Sequence, residues 1–170
     1  MKRILRALTA IILAICLLIP AVPAARVQAA DSFTPRYSCP GYDNPYYFSS
    51  MNIFYACGYG MPNCTAYAWG RVYEIRGSMP ALSTGNAGEW WFYNKRNGIY
   101  NYGSTPRLGA VACWDRWDEE NGHVAVVESI NGDGTVTLSE SNWGGTMFEN
   151  IRMSADGSDY MTSYRFLGYI

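Results

Sequence analysis

Two runs of alternating residues, Gly122 to Ile130 and Thr135 to Trp143, flank the turn Asn131-Gly132-Asp133-Gly134. No other feature constrains the fold as strongly. Alternation with period two is the pattern of a strand, and Asn-Gly and Asp-Gly steps supply the positive-φ residues that a tight hairpin needs. A turn symmetric about Gly132 and Asp133 sets His123 opposite Asn142 and Ala125 opposite Glu140. Residues two apart share a face, so His123, Glu140 and Asn142 are expected to project together. One extra turn residue would shift that register. Glu128 has the other parity and is expected to face solvent.

Upstream of the hairpin the pattern is helical. Pro62-Asn63-Cys64 introduces a predicted helix from Cys64 to Arg76, with Asn63 as N-cap, Gly77 as stop, and Tyr67, Ala68, Val72 and Ile75 as its buried stripe. A second helix is predicted from near Asn86 to Arg96, ending at Asn97-Gly98. Gly109 to Trp114 and Tyr164 to Ile170 read as further strands. Helices followed by a meander of strands predict an α+β fold with an antiparallel sheet. From Asp31 to Gly60 the chain is rich in Tyr, Pro, Asn and Gly, without a sustained period, and reads as an irregular arm.

The first 29 residues have the marks of a secretory signal: Lys2, Arg3 and Arg6, then an apolar stretch from Ile11 to Val22, then Val27-Gln28-Ala29 before a cut. That segment holds four of the 13 basic residues and none of the 14 acidic ones, which leaves the remainder at a net charge of −5. A broad basic surface for nucleic acid is therefore excluded as an expectation. Membrane contact is expected only through the signal, if it stays uncleaved. The remaining length suits one domain.

Four cysteines follow the signal: Cys39, Cys57, Cys64 and Cys113. In an exported chain they allow two disulfides, or one with free thiols, and a Cys39 to Cys57 bridge that leaves Cys64 free is the preferred pairing. No close CxxC pair exists and the chain has one histidine, so a zinc site is a poor reading. No cofactor is expected.

His123 is the one place for imidazole chemistry. A thiol at a helix N-terminus beside an imidazolium is favoured as thiolate, which makes Cys64 a candidate nucleophile and His123 its acid and base. Glu140 can hold the ring from its far side, Asn142 can support that arrangement, and the Cys64 backbone N–H can donate to an oxyanion. Each residue also has a structural explanation: Cys64 as half of a disulfide, His123 as a satisfied strand residue, Glu140 and Asn142 as solvent-facing residues. Cys113, on an apolar strand, reads as packing. The coincidence of the four carries the argument.

The segments Asn63-Cys64-Thr65-Ala66-Tyr67-Ala68-Trp69-Gly70-Arg71, Gly122-His123-Val124-Ala125-Val126-Val127 and Leu138-Ser139-Glu140-Ser141-Asn142-Trp143 resemble the three motif blocks of the CHAP family, the cysteine, histidine-dependent amidohydrolases/peptidases. Gly85-Asn86-Ala87 with Trp90 and Trp91, and Pro106 to Trp114, also resemble family segments. The resemblance implies a papain-like α+β fold and cleavage of amide bonds in bacterial peptidoglycan. By motif position, Cys64 would be nucleophile, His123 general acid and base, Glu140 its orienting residue and Asn142 an auxiliary polar group. Many relatives carry Gln before the cysteine. Here Asn63 stands in that place, and Tyr59 or a backbone group would have to substitute at the oxyanion if the shorter amide falls short.

The domains expected are therefore a signal over 1–29, an aromatic-rich arm over 30–58 and a CHAP-like catalytic unit over 59–170, secreted or cell-wall associated and acting as a monomer. Tyr59, Asn63, Trp114, Trp117 and Trp143, with the loop Asp118-Glu119-Glu120, are candidate substrate contacts. Trp143 is alternatively a wall that shields the His123 hydrogen bond. Two other functions stay open: hydrolysis of a small amide, and a non-catalytic wall-binding domain on the same fold.

Overall fold

The computed structural model describes residues 33–118 and 120–170; the expected signal and Glu119 lie outside the described residues. Helices α1 (Pro45–Phe48), α2 (Ile53–Ala56), α3 (Cys64–Arg76) and α4 (Glu89–Asn97) precede strands β1 (Val111–Asp115), β2 (Gly122–Ile130), β3 (Thr135–Glu140), β4 (Glu149–Ser154) and β5 (Arg165–Tyr169). All strand pairs are antiparallel, in the order β4-β3-β2-β1-β5. This is the papain-like α+β arrangement, with the helices packed on one antiparallel sheet. No helix among the described residues is long and apolar enough to cross a membrane.

Helix α3 has the bounds that its end signals predict. Asn63 is extended and its side chain accepts from the Thr65 N–H, while Gly77 stops the helix in the left-handed region at φ 63°. Every residue from Cys64 to Val72 is buried, which is more than an amphipathic stripe. The reason is that α3 is covered from two sides. One side meets β2 and β3, and the other meets α1, where a Cβ on Gly70 would stand 2.6 Å from the Tyr46 carbonyl oxygen and 2.7 Å from the Tyr47 ring.

The arm is not irregular throughout. Asn44 and Asn52 cap the single-turn helices α1 and α2 with their side-chain oxygens, and Tyr47 and Phe54 from these turns are buried. Asn52 also donates to the carbonyls of Tyr46 and Ala66, at 2.9 and 2.8 Å, and so ties the arm to α3. Four-residue helices have no periodic signature long enough to see in a sequence. Strand β4 was likewise not expected, and it pairs along its whole length with β3.

The hairpin differs from its expected form in an instructive way. The Asn131 N–H bonds to the Thr135 carbonyl, so three residues, Gly132 to Gly134, make the turn, and the ladder beside it pairs Ile130 with Val136 and Ser129 with Thr137. That is the extra turn residue. Between Val127 and Ser129 the register shifts, and beyond it Val126 pairs with Ser139 and Val127 with Leu138, as a two-residue turn would have set them. A bulge at Glu128 absorbs the extra residue before the ladder reaches the His123 end. The regular ladder stops short of Asn142, whose N–H bonds to the Thr146 carbonyl instead.

Both faces of the sheet are covered, and this corrects the expectation for Glu128. Val111, Cys113, Val124 and Val126 pack under the helices, whereas Ala112, Trp114, Ala125, Val127, Val136 and Leu138 pack with Tyr160, Met161, Tyr164 and Phe166 from the return to β5 and its start. Glu128 has the parity of the helix-facing residues and is fully buried. Its carboxylate accepts from Arg71 Nε and Nη2 at 2.8 Å each, from Ser139 Oγ at 2.6 Å and from the Arg36 N–H at 2.8 Å. Arg71 in turn reaches Glu74 and the Thr34 carbonyl. Arm, helix and sheet meet at this one carboxylate.

The preferred disulfide is also corrected. Cys39, Cys57, Cys64 and Cys113 are all unpaired, the first two exposed and the last two buried. The arm is held by the Asn52 hydrogen bonds and the Glu128 cluster, so no bridge is needed to dock it.

Candidate active site

Cys64 is the first residue of α3, and the helix geometry leaves the N–H groups of that turn without helical partners. Asn63 serves three neighbouring groups: its Oδ1 accepts from the Thr65 N–H at 3.1 Å and the Thr65 hydroxyl at 2.9 Å, while its Nδ2 donates to the Tyr59 carbonyl at 2.8 Å. The Asn63 N–H is held by Ser141 Oγ at 3.0 Å. Asn63 therefore caps the helix and fixes the Tyr59 turn.

His123 lies one residue into β2, beside Trp114 on β1. Gly122, just before it, sits against the β1 edge: a Cβ there would stand 2.2 Å from the Trp114 carbonyl oxygen and 2.6 Å from the Gly88 nitrogen. Only glycine permits this approach. The imidazole is 4 % exposed. Its Nε2 is 2.9 Å from Glu140 Oε2, and Cys64 is its other electrostatic neighbour. With Nε2 engaged by the carboxylate, Nδ1 is the nitrogen left to face the sulfur. Burial pulls the imidazole toward its neutral form, but the hydrogen bonds and charges of Cys64 and Glu140 outweigh it and push the ring up to about 10.

Glu140 ends β3 and is fully buried. Its Oε1 accepts from the Tyr160 hydroxyl at 2.6 Å and lies 3.4 Å from Asn142 Nδ2. Asn142 makes its shorter bond, 2.6 Å, to Glu149 Oε1 on β4, directly across from Glu140 in the ladder. The expected pairing of His123 with Asn142 is thus replaced by a contact at one remove, through Glu140. Tyr160 and Glu149 had no sequence signal, since each belongs to a segment whose pairing partner only the fold reveals.

Cys64 opens onto a cleft of about 860 Å³, lined also by Tyr59, Asn63, Asn86, Arg116, Glu120, Gly122, Trp143 and Tyr164. Tyr59 and Trp143 are exposed, with ring centroids 6.1 Å apart, and form one wall. Trp143 is 66 % exposed, which does not suit a shield over the His123 hydrogen bond. Trp114 and Trp117 depart from expectation. Trp114 is fully buried and packs on His123, Tyr160 and Phe166, so it supports the imidazole from the core side. Trp117 stands outside the cleft lining, in the left-handed region at φ 71°, with Arg165 over its ring. Alternation along β1 already aims residue 114 into the covered face, but that this face was covered could not be read from the chain.

The CHAP domain family model matches residues 54–142, just over half of the chain. Among curated proteins, the chain is 35 % identical to the probable autolysin LDP of Staphylococcus aureus over 102 residues, covering 60 % of this chain and 35 % of that protein. It is 37 % identical to the staphylococcal secretory antigen ssaA2 of Staphylococcus aureus over 98 residues, covering 58 % and 32 %. The chain thus spans about a third of the length of the curated relatives it matches. A crystal structure of N-acetylmuramoyl-L-alanine amidase from Staphylococcus aureus shares 26 % identity with a TM-score of 0.48, covering 65 % of this chain and 32 % of that one. A cysteine at the start of a buried helix, facing a strand histidine backed by a carboxylate, lies with its motif blocks inside or beside the matched segment, and the chain belongs to the CHAP domain family.

Proposed function

We propose that the protein is a secreted or cell-wall-associated cysteine hydrolase that cleaves amide bonds in bacterial peptidoglycan, with Cys64 as nucleophile, His123 as general acid and base, and Glu140 holding the imidazole. One observation carries this reading: Cys64, at a helix start lining an open cleft, neighbours a buried imidazole that a buried carboxylate holds at 2.9 Å. The names of the relatives, an autolysin and a secretory antigen, support the substrate and the location. The signal over 1–29 belongs to the same proposal.

The imidazolium favours the Cys64 thiolate, whose sulfur attacks the amide carbonyl carbon. The Cys64 N–H, at the first position of the helix and without a helical partner, is the donor proposed to meet the developing oxyanion. As the carbon–nitrogen bond breaks, His123 gives its proton to the leaving amine. The neutral ring then takes a proton from water, the hydroxide adds to the thioester carbon, and the carbon–sulfur bond breaks to restore thiolate and imidazolium. Throughout, Glu140 accepts from the far nitrogen and keeps one ring orientation.

The cleft suits a substrate with both sugar and peptide. Tyr59 and Trp143 give a stacking wall, while Arg116 and Glu120 supply both signs of charge for a stem peptide. N-acetylmuramoyl-L-alanine amidase and endopeptidase activity are both compatible with that lining. Digesting purified sacculi and analysing the products by mass spectrometry tests the proposal. New free amino termini without new reducing sugar ends are expected. New reducing ends, or an unchanged sacculus, would refute it, and the position of the new termini assigns the bond.

A further inference from the structure

We infer that Tyr160 is a positioning residue for the Cys64, His123 and Glu140 site, its hydroxyl holding the second oxygen of Glu140 so that the carboxylate is fixed and its pull on the His123 proton is moderated. The inference rests on the proposed reading of that site.

Three observations lead to it. First, the contact is short and placed where it matters: Tyr160 Oη lies 2.6 Å from Glu140 Oε1, while Oε2 of the same carboxylate is 2.9 Å from His123 Nε2. The two contacts divide the carboxylate between them, one oxygen each. Second, the ring is anchored independently of the hydroxyl, packing edge-on against the buried Trp114 at 5.8 Å, and Trp114 is itself 5.8 Å from the His123 ring. Imidazole, indole and phenol thus form one packed set. Third, Glu140 is fully buried, so its Oε1 depends on protein donors, and the alternative, Asn142 Nδ2, is 3.4 Å away and makes its shorter bond to Glu149. Burial and then the neighbouring carboxylates push the Tyr160 phenol above its ordinary range, which keeps it a donor.

The charged and titratable groups around the imidazole are Cys64 from α3 and Glu140 from β3, with Tyr160 behind Glu140 and Glu149 of β4 bridged to it through Asn142. A hydrogen bond to a carboxylate oxygen spreads its negative charge and weakens what the other oxygen offers. Without the phenol, Glu140 should hold the imidazolium more tightly. A proton held too tightly is delivered less readily to the leaving amine.

Tyr160→Phe keeps the ring on Trp114 and removes only the hydroxyl. Because the chain has a single histidine, the titration of His123 can be followed by NMR without assignment, independently of activity. In Tyr160→Phe the His123 midpoint should rise by at least ~0.3 unit, kcat should fall roughly 3- to 30-fold with KM unchanged, and the basic limb of the kcat profile should move the same way. Glu140→Gln is the reference, and its His123 midpoint should drop by more than about one unit. A drop in Glu140→Gln with wild-type titration and kcat in Tyr160→Phe would overturn the role of Tyr160 alone. An unchanged midpoint in Glu140→Gln would remove the His123 and Glu140 pair, and with it both readings.

Discussion

Replacing Cys64 by alanine is expected to lower amide hydrolysis by ~10⁴-fold or more while the domain stays folded. The size follows from the mechanism. Without the sulfur no thioester forms, and the oxyanion donor and the cleft are left with water as the attacking group. The fold should tolerate the change, because alanine fits the first turn of α3, the cap from Asn63 is untouched, and the side chain removed is small. A destabilisation of about 1–2 kcal/mol is expected. Circular dichroism and urea unfolding check the fold, and turbidity loss of a sacculus suspension checks the activity. Retained lysis by a folded Cys64→Ala would move the chemistry elsewhere.

The second large effect is on stability. Arg71→Met should destabilise the domain by about 3–5 kcal/mol, because it strips the bidentate partner from a carboxylate that is fully buried. Glu128 keeps only Ser139 Oγ and the Arg36 N–H. Against the usual 5–15 kcal/mol of a domain, this is a large share. Removing both charges, as Arg71→Met with Glu128→Leu, should recover part of the loss, since the buried unpaired charge is then gone. Urea midpoints of the single and double variants make the comparison. A double variant less stable than Arg71→Met would contradict the account. Activity should fall with stability in the single variant, because the same contact docks α3, which carries Cys64, on β2, which carries His123.

How much of this was legible in the chain depends on the range of the forces involved. Helix α3 and strand β2 were visible to the residue, because a cap, a stop and a period are local signals. The convergence of Cys64, His123 and Glu140 followed from helix start, strand parity and hairpin register together with the motif blocks. The register argument reached the right pairing near Ser139 through a turn of the wrong length, and the bulge at Glu128 made up the difference. Parity was read correctly for Glu128, but its meaning, like the place of Trp114, depended on what covers each face of the sheet. For Glu128 the cover is α3 with Arg71, and for Trp114 it is the 155–164 segment. Neither is a sequence neighbour. Tyr160 and Glu149 escaped for the same reason, and so did α1 and α2, whose single turns are stabilised by tertiary packing rather than by period.

The central claim is that Cys64 is an activated nucleophile because His123 stands beside it. Timed alkylation with iodoacetamide at pH 6, quantified at each cysteine by peptide mass spectrometry, tests it most directly, since the exposed Cys57 lines the same cleft and serves as an internal reference. The account predicts that Cys64, though buried, is modified at least ~10-fold faster than Cys57, and that His123→Ala abolishes the advantage. Equal rates at the two cysteines, or an advantage at Cys64 that survives His123→Ala, would contradict it.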